Sequence, residues 1–577
     1  MTHRISRVVA VGAAALLGAT AFAVGPAQAE NDNDKPNPSA NLSVQLLSFN
    51  DYHGHLEAKN NETGPLDGKD VGGAEFLSAK LTELRAGHKN TLTVAAGDLI
   101  GGSTFLSGMF HDEPAVETLN AMGLDVSSVG NHEFDEGTTE LLRMQNGGCH
   151  PTDGCYFPDT PYAGADFQWL AANVVRKDNG RTLLPATSVK KVNGVDIGFI
   201  GMTLEATPTL VSPAGVSSVE FKDEVETANA QAALLRQRGV EAIVVLLHEG
   251  GYQATPFGIN TCNGISAPIA QIAAQLDSAI DAVVTGHTHQ PYVCQLPDPS
   301  GANRLVTSAA DYGRVVTETE LVINRRTKDV VRDQSTATNH LVERAALTAD
   351  PAQTAILNKW KQLSGPIAGE VVGTVVEDIL GDSSGNRGIE TPMGDLVADA
   401  ILWGTQETDA QIAFMNVGGV RGSFRYDAIT HGEQPGEITY EEAYLVAPFG
   451  NVLVTLDLTG AQIQTILEQQ YQPVAARGSR PMLALGVSEG FTYEWDASQP
   501  QLSRVVRGSM ALNGVPIELD QTYRVATLNF LADGGDLFTG FTAGTNRIGG
   551  PEDLANLVAF LKANPGLTAP DSRIAGL

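Results

Sequence analysis

Cysteine and tryptophan occur only four times each in 577 residues, aromatic residues make up 6 %, and 37 basic residues face 67 acidic ones. Four cysteines with no CxxC spacing do not make a zinc knuckle. A net charge of −30 disfavours binding along a nucleic-acid backbone, so no polymeric nucleic-acid partner is expected. Past residue 29 no apolar run reaches the roughly 20 residues that span a bilayer, so the mature chain is expected to have no membrane span. No internal repeat or low-complexity tract is visible. The scarcities leave a large, acidic protein long enough for two or more domains, each with its own core.

What is present begins with an export pattern. His3, Arg4 and Arg7 precede an apolar stretch from Val8 to Val24, and Ala27-Gln28-Ala29 supplies small residues before an expected cut at Glu30. Residues 1–29 are thus read as a signal peptide and 30–41 as a polar leader; the protein is expected to be secreted or held at the cell envelope. The last residues carry no hydrophobic tail of the lipid-anchor kind. Export favours disulfides, with Cys149 expected to pair with Cys155 and Cys262 with Cys294.

From Leu42 the chain alternates short apolar or β-branched runs (Leu42–Asn50, Thr91–Ala96, Val126–Gly130, Val195–Gly201, Ala242–Leu247, Ala282–Thr285) with helical stretches such as Gly73–Arg85 and Asp223–Arg238. This alternation predicts an α/β domain whose strand-end loops carry the chemistry. Five polar fragments follow those runs: Asp51-Tyr52-His53, Gly97-Asp98, Gly130-Asn131-His132-Glu133, His248-Glu249 and Gly286-His287-Thr288-His289. A lone Asp-x-His or Gly-Asp is more often a turn than a ligand, and Gly-Asn-His-Glu is the stronger signal. Their succession after successive strands predicts one cluster of metal ligands, because only a shared sheet edge brings them together. Hydrolysis of a phosphate ester needs a nucleophile at neutral pH and neutralised phosphoryl oxygens, which two cations supply. Asp98 is the candidate bridge, with Asp51, His53 and His289 on one cation and Asn131, His248 and His287 on the other. Carboxylate, imidazole and amide ligands suit two divalent ions among Zn, Mn, Fe or Co. Because alternate residues of a strand point to opposite faces, Asp51/His53 and His287/His289 are expected on loops.

The order Asp-x-His, Gly-Asp, Gly-Asn-His-Glu, His and Gly-His-x-His resembles the calcineurin-like metallophosphoesterases over most of residues 42–330. The resemblance implies the same ligand assignment, a four-layer α/β/β/α sandwich, and a catalytic pair in which Asp135 orients His132. Glu249, where the family has an apolar residue, is expected to alter the charge near the second cation.

The texture changes at Leu341. Ile356, Leu357, Trp360 and Leu363 recur at helical spacing between Asp350-Pro351 and Gly365-Pro366, predicting a linker helix within residues 341–369 after a first domain at 42–340. Residues 370–577 mix strands and helices in a second, α+β domain that binds substrate. Its fragments around Arg387, Asn416, Arg421, Phe449, Phe530 and Asp536 resemble the C-terminal domain of the 5'-nucleotidases. Phe449 and Phe530 offer two faces for a base, Arg387 and Arg421 forked donors for phosphate or ribose, and Asp536 an acceptor for ribose hydroxyls. The family implies a nucleotide substrate and in-line attack on phosphorus by a metal-activated water. A 2',3'-cyclic nucleotide phosphodiesterase, a UDP-sugar or dinucleotide pyrophosphatase, and a noncatalytic nucleotide-binding or adhesion protein are the alternatives. Substrate bridging two domains further implies rotation about the segment from Leu341 to Pro366.

Overall fold

The computed structural model describes residues 40–58, 65–212, 214–381, 386–477 and 480–577, and residues 41–577 form one compact unit. The signal peptide and all but the last two residues of the polar leader lie outside the described residues.

Two six-stranded sheets stand face to face in the N-terminal half. Their strands, in chain order, are β1 (Asn41–Phe49), β2 (Thr91–Ala96), β3 (Val126–Ser128), β4 (Gln168–Leu170), β5 (Thr187–Val192), β6 (Val195–Thr203), β7 (Ala242–His248), β8 (Ala282–Thr285), β9 (Tyr292–Pro297), β10 (Asn303–Ser308), β11 (Val315–Asn324) and β12 (Thr336–Leu341). One sheet runs β12-β11-β1-β2-β3-β4 and the other β9-β10-β8-β7-β6-β5. Strands β1 to β4 are mutually parallel, as are β6, β7, β8 and β10, while the outer strands are antiparallel additions.

Period-two alternation sorts the side chains into layers. Along β1, Val44 and Leu46 enter the core between the sheets beside Phe199, Val244 and Leu246, while Leu47 and Phe49 join the outer core. That outer core is roofed by α1 (Ala74–Arg85) and α3 (Glu113–Met122), the latter following the short α2 (Phe105–Gly108). Helices Glu224–Gln237 and Ile269–Gln275 cover the other sheet, completing an α/β/β/α sandwich. The parallel strands place the C-terminal ends of β1, β2, β3, β7 and β8 along one edge.

Helix α4 (Pro351–Ala368) starts on an Asp350 cap, whose side chain accepts from Ala352 N. It does not stop at Gly365-Pro366 as the sequence predicts. Trp360, Ser364 and Ala368 lie one turn apart on its buried face, and their burial outweighs the roughly 3 kcal/mol that an interior proline costs. Leu357 and Trp360 belong to the core of the sandwich, and Trp360 Nε1 donates to Glu117 Oε2 at 2.8 Å. The first turns of this helix are therefore part of the first domain rather than a free pivot.

The C-terminal half is built on the sheet β15-β13-β16-β14-β17, from β13 (Ile412–Asn416), β14 (Val452–Thr459), β15 (Leu485–Val487), β16 (Thr522–Leu528) and β17 (Thr545–Glu552). Helix α5 (Pro392–Gly404) packs on it behind a Thr391 cap, and α6 (Tyr440–Val446) opens with a Thr439/Glu442 capping box. Both cysteine pairs are bonded as expected, Cys149 to Cys155 and Cys262 to Cys294.

Candidate active site

Loops at the shared strand edge carry the five fragments. Asp51 and His53 follow β1, Asp98 follows β2, Asn131 and His132 follow β3, and His287 and His289 follow β8; His248 is the last residue of β7 rather than the first beyond it. Asp51 (φ 50°), His53 (48°), Asp98 (48°), His287 (71°) and His289 (58°) all have left-handed backbone, which a strand could not supply. Close approach needs glycine at two points. A Cβ on Gly130 would lie 2.2 Å from Asp98 Oδ1, and one on Gly286 would lie 2.8 Å from Ala96 O.

Asp98 Oδ2 sits between two imidazoles, 2.9 Å from His248 Nε2 and 3.7 Å from His53 Nε2. Asp51 Oδ1 is 3.2 Å from His289 Nε2 and 4.0 Å from His248 Nε2. The opposite ring nitrogens are tied down: His53 Nδ1 to Gly101 O (2.7 Å), His248 Nδ1 to Ala96 O (2.8 Å) and His289 Nδ1 to Asp311 Oδ2 (2.9 Å). This fixes the tautomers and turns Nε2 of each ring toward the carboxylates. Asn131 Oδ1 meets His287 Nδ1 at 3.0 Å.

This donor set fits a pair of divalent cations. His53 Nε2 is buried with no hydrogen-bond partner among the described residues, an arrangement a protein rarely leaves uncompensated. Asp51, His53 and His289 can converge on one ion, and Asp98, His248 and His287 on another. Burial holds His53 and His287 well below the usual imidazole range, keeping both neutral as ligands must be. Burial also opposes charge on His248, but Asp98 and Asp51 more than offset it and raise the ring to about 10, the response of an imidazole facing carboxylates. Glu133 is the hidden brace: its carboxylate accepts from the backbone N–H of Asp98, Leu99 and Gly130, joining the second and third fragments. Burial pushes Glu249 up to about 7, so it adds less than a full negative charge beside His248.

His132 lies at the mouth of this cluster. Its Nδ1 is 2.7 Å from Asp135 Oδ2, and its backbone N–H donates to Asp98 Oδ1 at 2.8 Å. Side chains from the second domain reach it: Arg421 Nη2 is 3.5 Å from His132 Nε2, and the Phe449 ring lies parallel to the imidazole at 6.0 Å. A single cavity joins Asp98, Asn131, His132, Asp135, His287 and His289 to Arg387, Asn416, Arg421, Phe449, Phe530 and Asp536. Asp51, His53 and His248 are buried beneath its floor. Asn416 Nδ2 donates to Asp536 Oδ2 at 3.1 Å, while its buried Oδ1 has no partner among the described residues. Burial and the neighbouring Arg480 and Arg421 hold the Arg387 guanidinium well below its usual range, so that wall favours an anion.

Three residues here carried no role from sequence. Glu133 stood inside a quoted fragment. Asp311 follows β10, whose place beside β8 is a matter of sheet order. Arg480 enters the cavity from a segment without any motif.

The family model of the calcineurin-like phosphoesterases matches residues 45–291, and that of the 5'-nucleotidase C-terminal domain matches residues 371–543. Endonuclease YhcR of Bacillus subtilis is 35% identical over 91% of this chain and 40% of its own length. Cell wall protein Lmo0130 of Listeria monocytogenes is 30% identical over 87% of this chain and 64% of its own length. The chain thus spans less than two thirds of either relative. A crystal structure of a 5'-nucleotidase precursor from Thermus thermophilus superposes with a TM-score of 0.73 at 27% identity, covering 92% of this chain and 99% of that one. With both domain types matched in order and the fold shared over 92% of the chain, the chain belongs to the 5'-nucleotidase family, a calcineurin-like phosphoesterase joined to a 5'-nucleotidase C-terminal domain.

Proposed function

We propose that the protein is a secreted, metal-dependent 5'-nucleotidase that hydrolyses nucleoside 5'-phosphates to nucleoside and phosphate. The carrying observation is the single cavity with the Asp/His cluster on one wall and Arg387, Arg421, Phe449, Phe530 and Asp536 on the other. In this reading residues 42–340 supply the chemistry and residues 370–577 select the substrate. Export is supported by the pattern of residues 1–29, by the two disulfides and by similarity to a cell wall protein.

Two divalent cations held by Asp51, His53, His289, Asp98, Asn131, His248 and His287 would supply Lewis acidity toward the phosphoryl oxygens and a nucleophile at neutral pH. The chain's own part is positional and protonic. Asp135 holds the Nδ1 edge of His132, leaving Nε2 to face the cavity and to place a proton on the departing ribose oxygen. Arg421, within reach of the same nitrogen, orients the phosphate, and Arg387 adds a second forked donor. Phe449 and Phe530 receive the base, and Asn416 Oδ1, which has no partner among the described residues, accepts from it or from the ribose.

A phosphate-release panel tests this: AMP, UDP-glucose, 2',3'-cAMP and a DNA oligonucleotide, each with Zn, Mn, Fe or Co after chelation. AMP is expected to be the fastest substrate and chelation to abolish turnover. Preferential cleavage of the cyclic nucleotide, UDP-glucose or DNA would replace the substrate assignment; the DNA arm answers the relative named an endonuclease. Asp135→Asn is expected to lower kcat by about 10²- to 10⁴-fold, the worth of a positioned acid, with KM nearly unchanged and bound metal retained. An unaltered kcat would remove His132 and Asp135 from the mechanism.

A further inference from the structure

A second group of imidazoles and carboxylates lies outside the cavity, where the loop closed by Cys149–Cys155 meets the turn between α2 and α3. His111 from the turn and His150 from the loop stack with ring centroids 3.6 Å apart and planes 17° from parallel. Their nitrogens present two common edges. Toward Glu136 Oε2, His111 Nδ1 is at 2.8 Å and His150 Nε2 at 4.0 Å. Toward Asp153 Oδ2, His111 Nε2 is at 2.9 Å and His150 Nδ1 at 3.9 Å. Hydrogen bonding makes these edges unequal. The backbone N–H of Asp153 donates to His150 Nδ1 at 3.2 Å, which marks that nitrogen as the lone-pair position. Glu136 accepts from His111 Nδ1, leaving Nε2 as that ring's ligating nitrogen.

We propose that His111 Nε2, His150 Nδ1 and Asp153 Oδ2 form a further divalent-cation site, of the two-imidazole, one-carboxylate kind suited to Zn²⁺. Ligand atoms about 2.1 Å from a tetrahedral ion stand about 3.4 Å apart. The observed 2.9 and 3.9 Å bracket that spacing, and all three atoms lie within 4.8 Å of one another. The cation takes the place of the proton between His111 and Asp153 and displaces the long backbone contact to His150 Nδ1. Glu136 then completes a carboxylate–imidazole–metal relay. Asp153 is half exposed, which leaves the fourth position open to water.

Two of the three ligands come from the small disulfide loop, so the ion would staple that loop to the α2–α3 turn. The neighbours of this staple reach the candidate active site by two routes. Asp112, next to His111, accepts from Gly101 N at 2.9 Å, and Gly101 O holds His53 Nδ1. Glu136 adjoins Asp135, which holds His132.

The test compares the full chain with H150A/D153N, neither position being part of the cavity, by equilibrium dialysis against Zn²⁺ and metal analysis of the protein. The parent is expected to bind one zinc per chain more than the variant; equal stoichiometry in two folded proteins overturns the site. The parent alone provides a second arm that needs no variant. Saturating Zn²⁺ is expected to slow carbethoxylation of His150, located by peptide mass mapping, at least tenfold, whereas Mg²⁺ leaves it unchanged. An equal rate of His150 modification with and without Zn²⁺ overturns the proposal.

Discussion

Five of the seven side chains gathered at the strand edge stand on left-handed backbone, a conformation that costs a non-glycine residue of order 1–3 kcal/mol. Such strain persists only where surrounding bonds impose it, as the Glu133 carboxylate does at Asp98. Buried acids away from this edge show another cost. Burial raises Asp395, in the first turn of α5, to about 8 against an ordinary 3.8, although Val487 N donates to it. Because the folded pKa lies above the unfolded one, the folded chain keeps a proton that the unfolded chain releases between about pH 4 and 8. That contribution to stability is full below pH 4, falls by about 1.4 kcal/mol per pH unit across the window, and is gone above pH 8. Asp395→Asn keeps the acceptor and removes the titration. The urea midpoint of the variant relative to the parent is expected to rise from pH 5 to about pH 8 and to level off above it; a constant difference would show Asp395 to be ionised throughout. At this scale the sequence was legible where chemistry dictates residue types in a fixed order. Asp311 and Arg480 were not, since their partners are set by sheet order and domain packing, which no local pattern encodes.

Elements followed the sequence pattern closely: β2 and β8, buried almost throughout, occupy the residues their continuous apolar runs predict, and α1 and the helix Glu224–Gln237 begin one residue past the predicted start. Helix α4 is the exception that teaches most. Its heptad-like spacing was readable, its allegiance was not: Trp360 packs against Phe110, Tyr156 and Phe157 of the sandwich at ring distances of 4.9, 6.0 and 4.9 Å. Trp360→Ala removes a fully buried aromatic, a change that costs about 3–5 kcal/mol. Trp360→Phe keeps most of the packing and loses the bond to Glu117, about 1 kcal/mol. Denaturant unfolding followed on the first domain should reproduce that order. If both variants leave the midpoint in place, α4 contributes only a tether.

At the scale of the whole molecule, the cavity exists only while the two halves are held together, and one side chain stands out in that contact. Phe105, on α2 of the sandwich, is 2 % exposed and belongs to the apolar core of the second domain, with ring centroids 6.2 Å from Tyr440 and 5.4 Å from Tyr444 of α6. The residues before it serve the candidate active site: Gly101 O holds His53, and Thr104 Oγ1 donates to Gly54 O. Interdomain packing and the loop that positions a candidate metal ligand are thus neighbours on one short segment. Phe105→Ala empties this socket, with an expected cost of about 3–5 kcal/mol. Because that loss falls on the coupling between domains, calorimetry is expected to resolve two unfolding transitions where the parent shows one. The midpoint of the second domain should fall further, since the cavity lies in its core. A single transition, shifted as a whole, would mean that the halves are coupled through other contacts and that Phe105 merely fills space. In the same variant, AMP turnover at saturating metal is expected to drop through KM more than through kcat. The facing walls would meet less often, while His132 and Asp135 keep their geometry within the first domain.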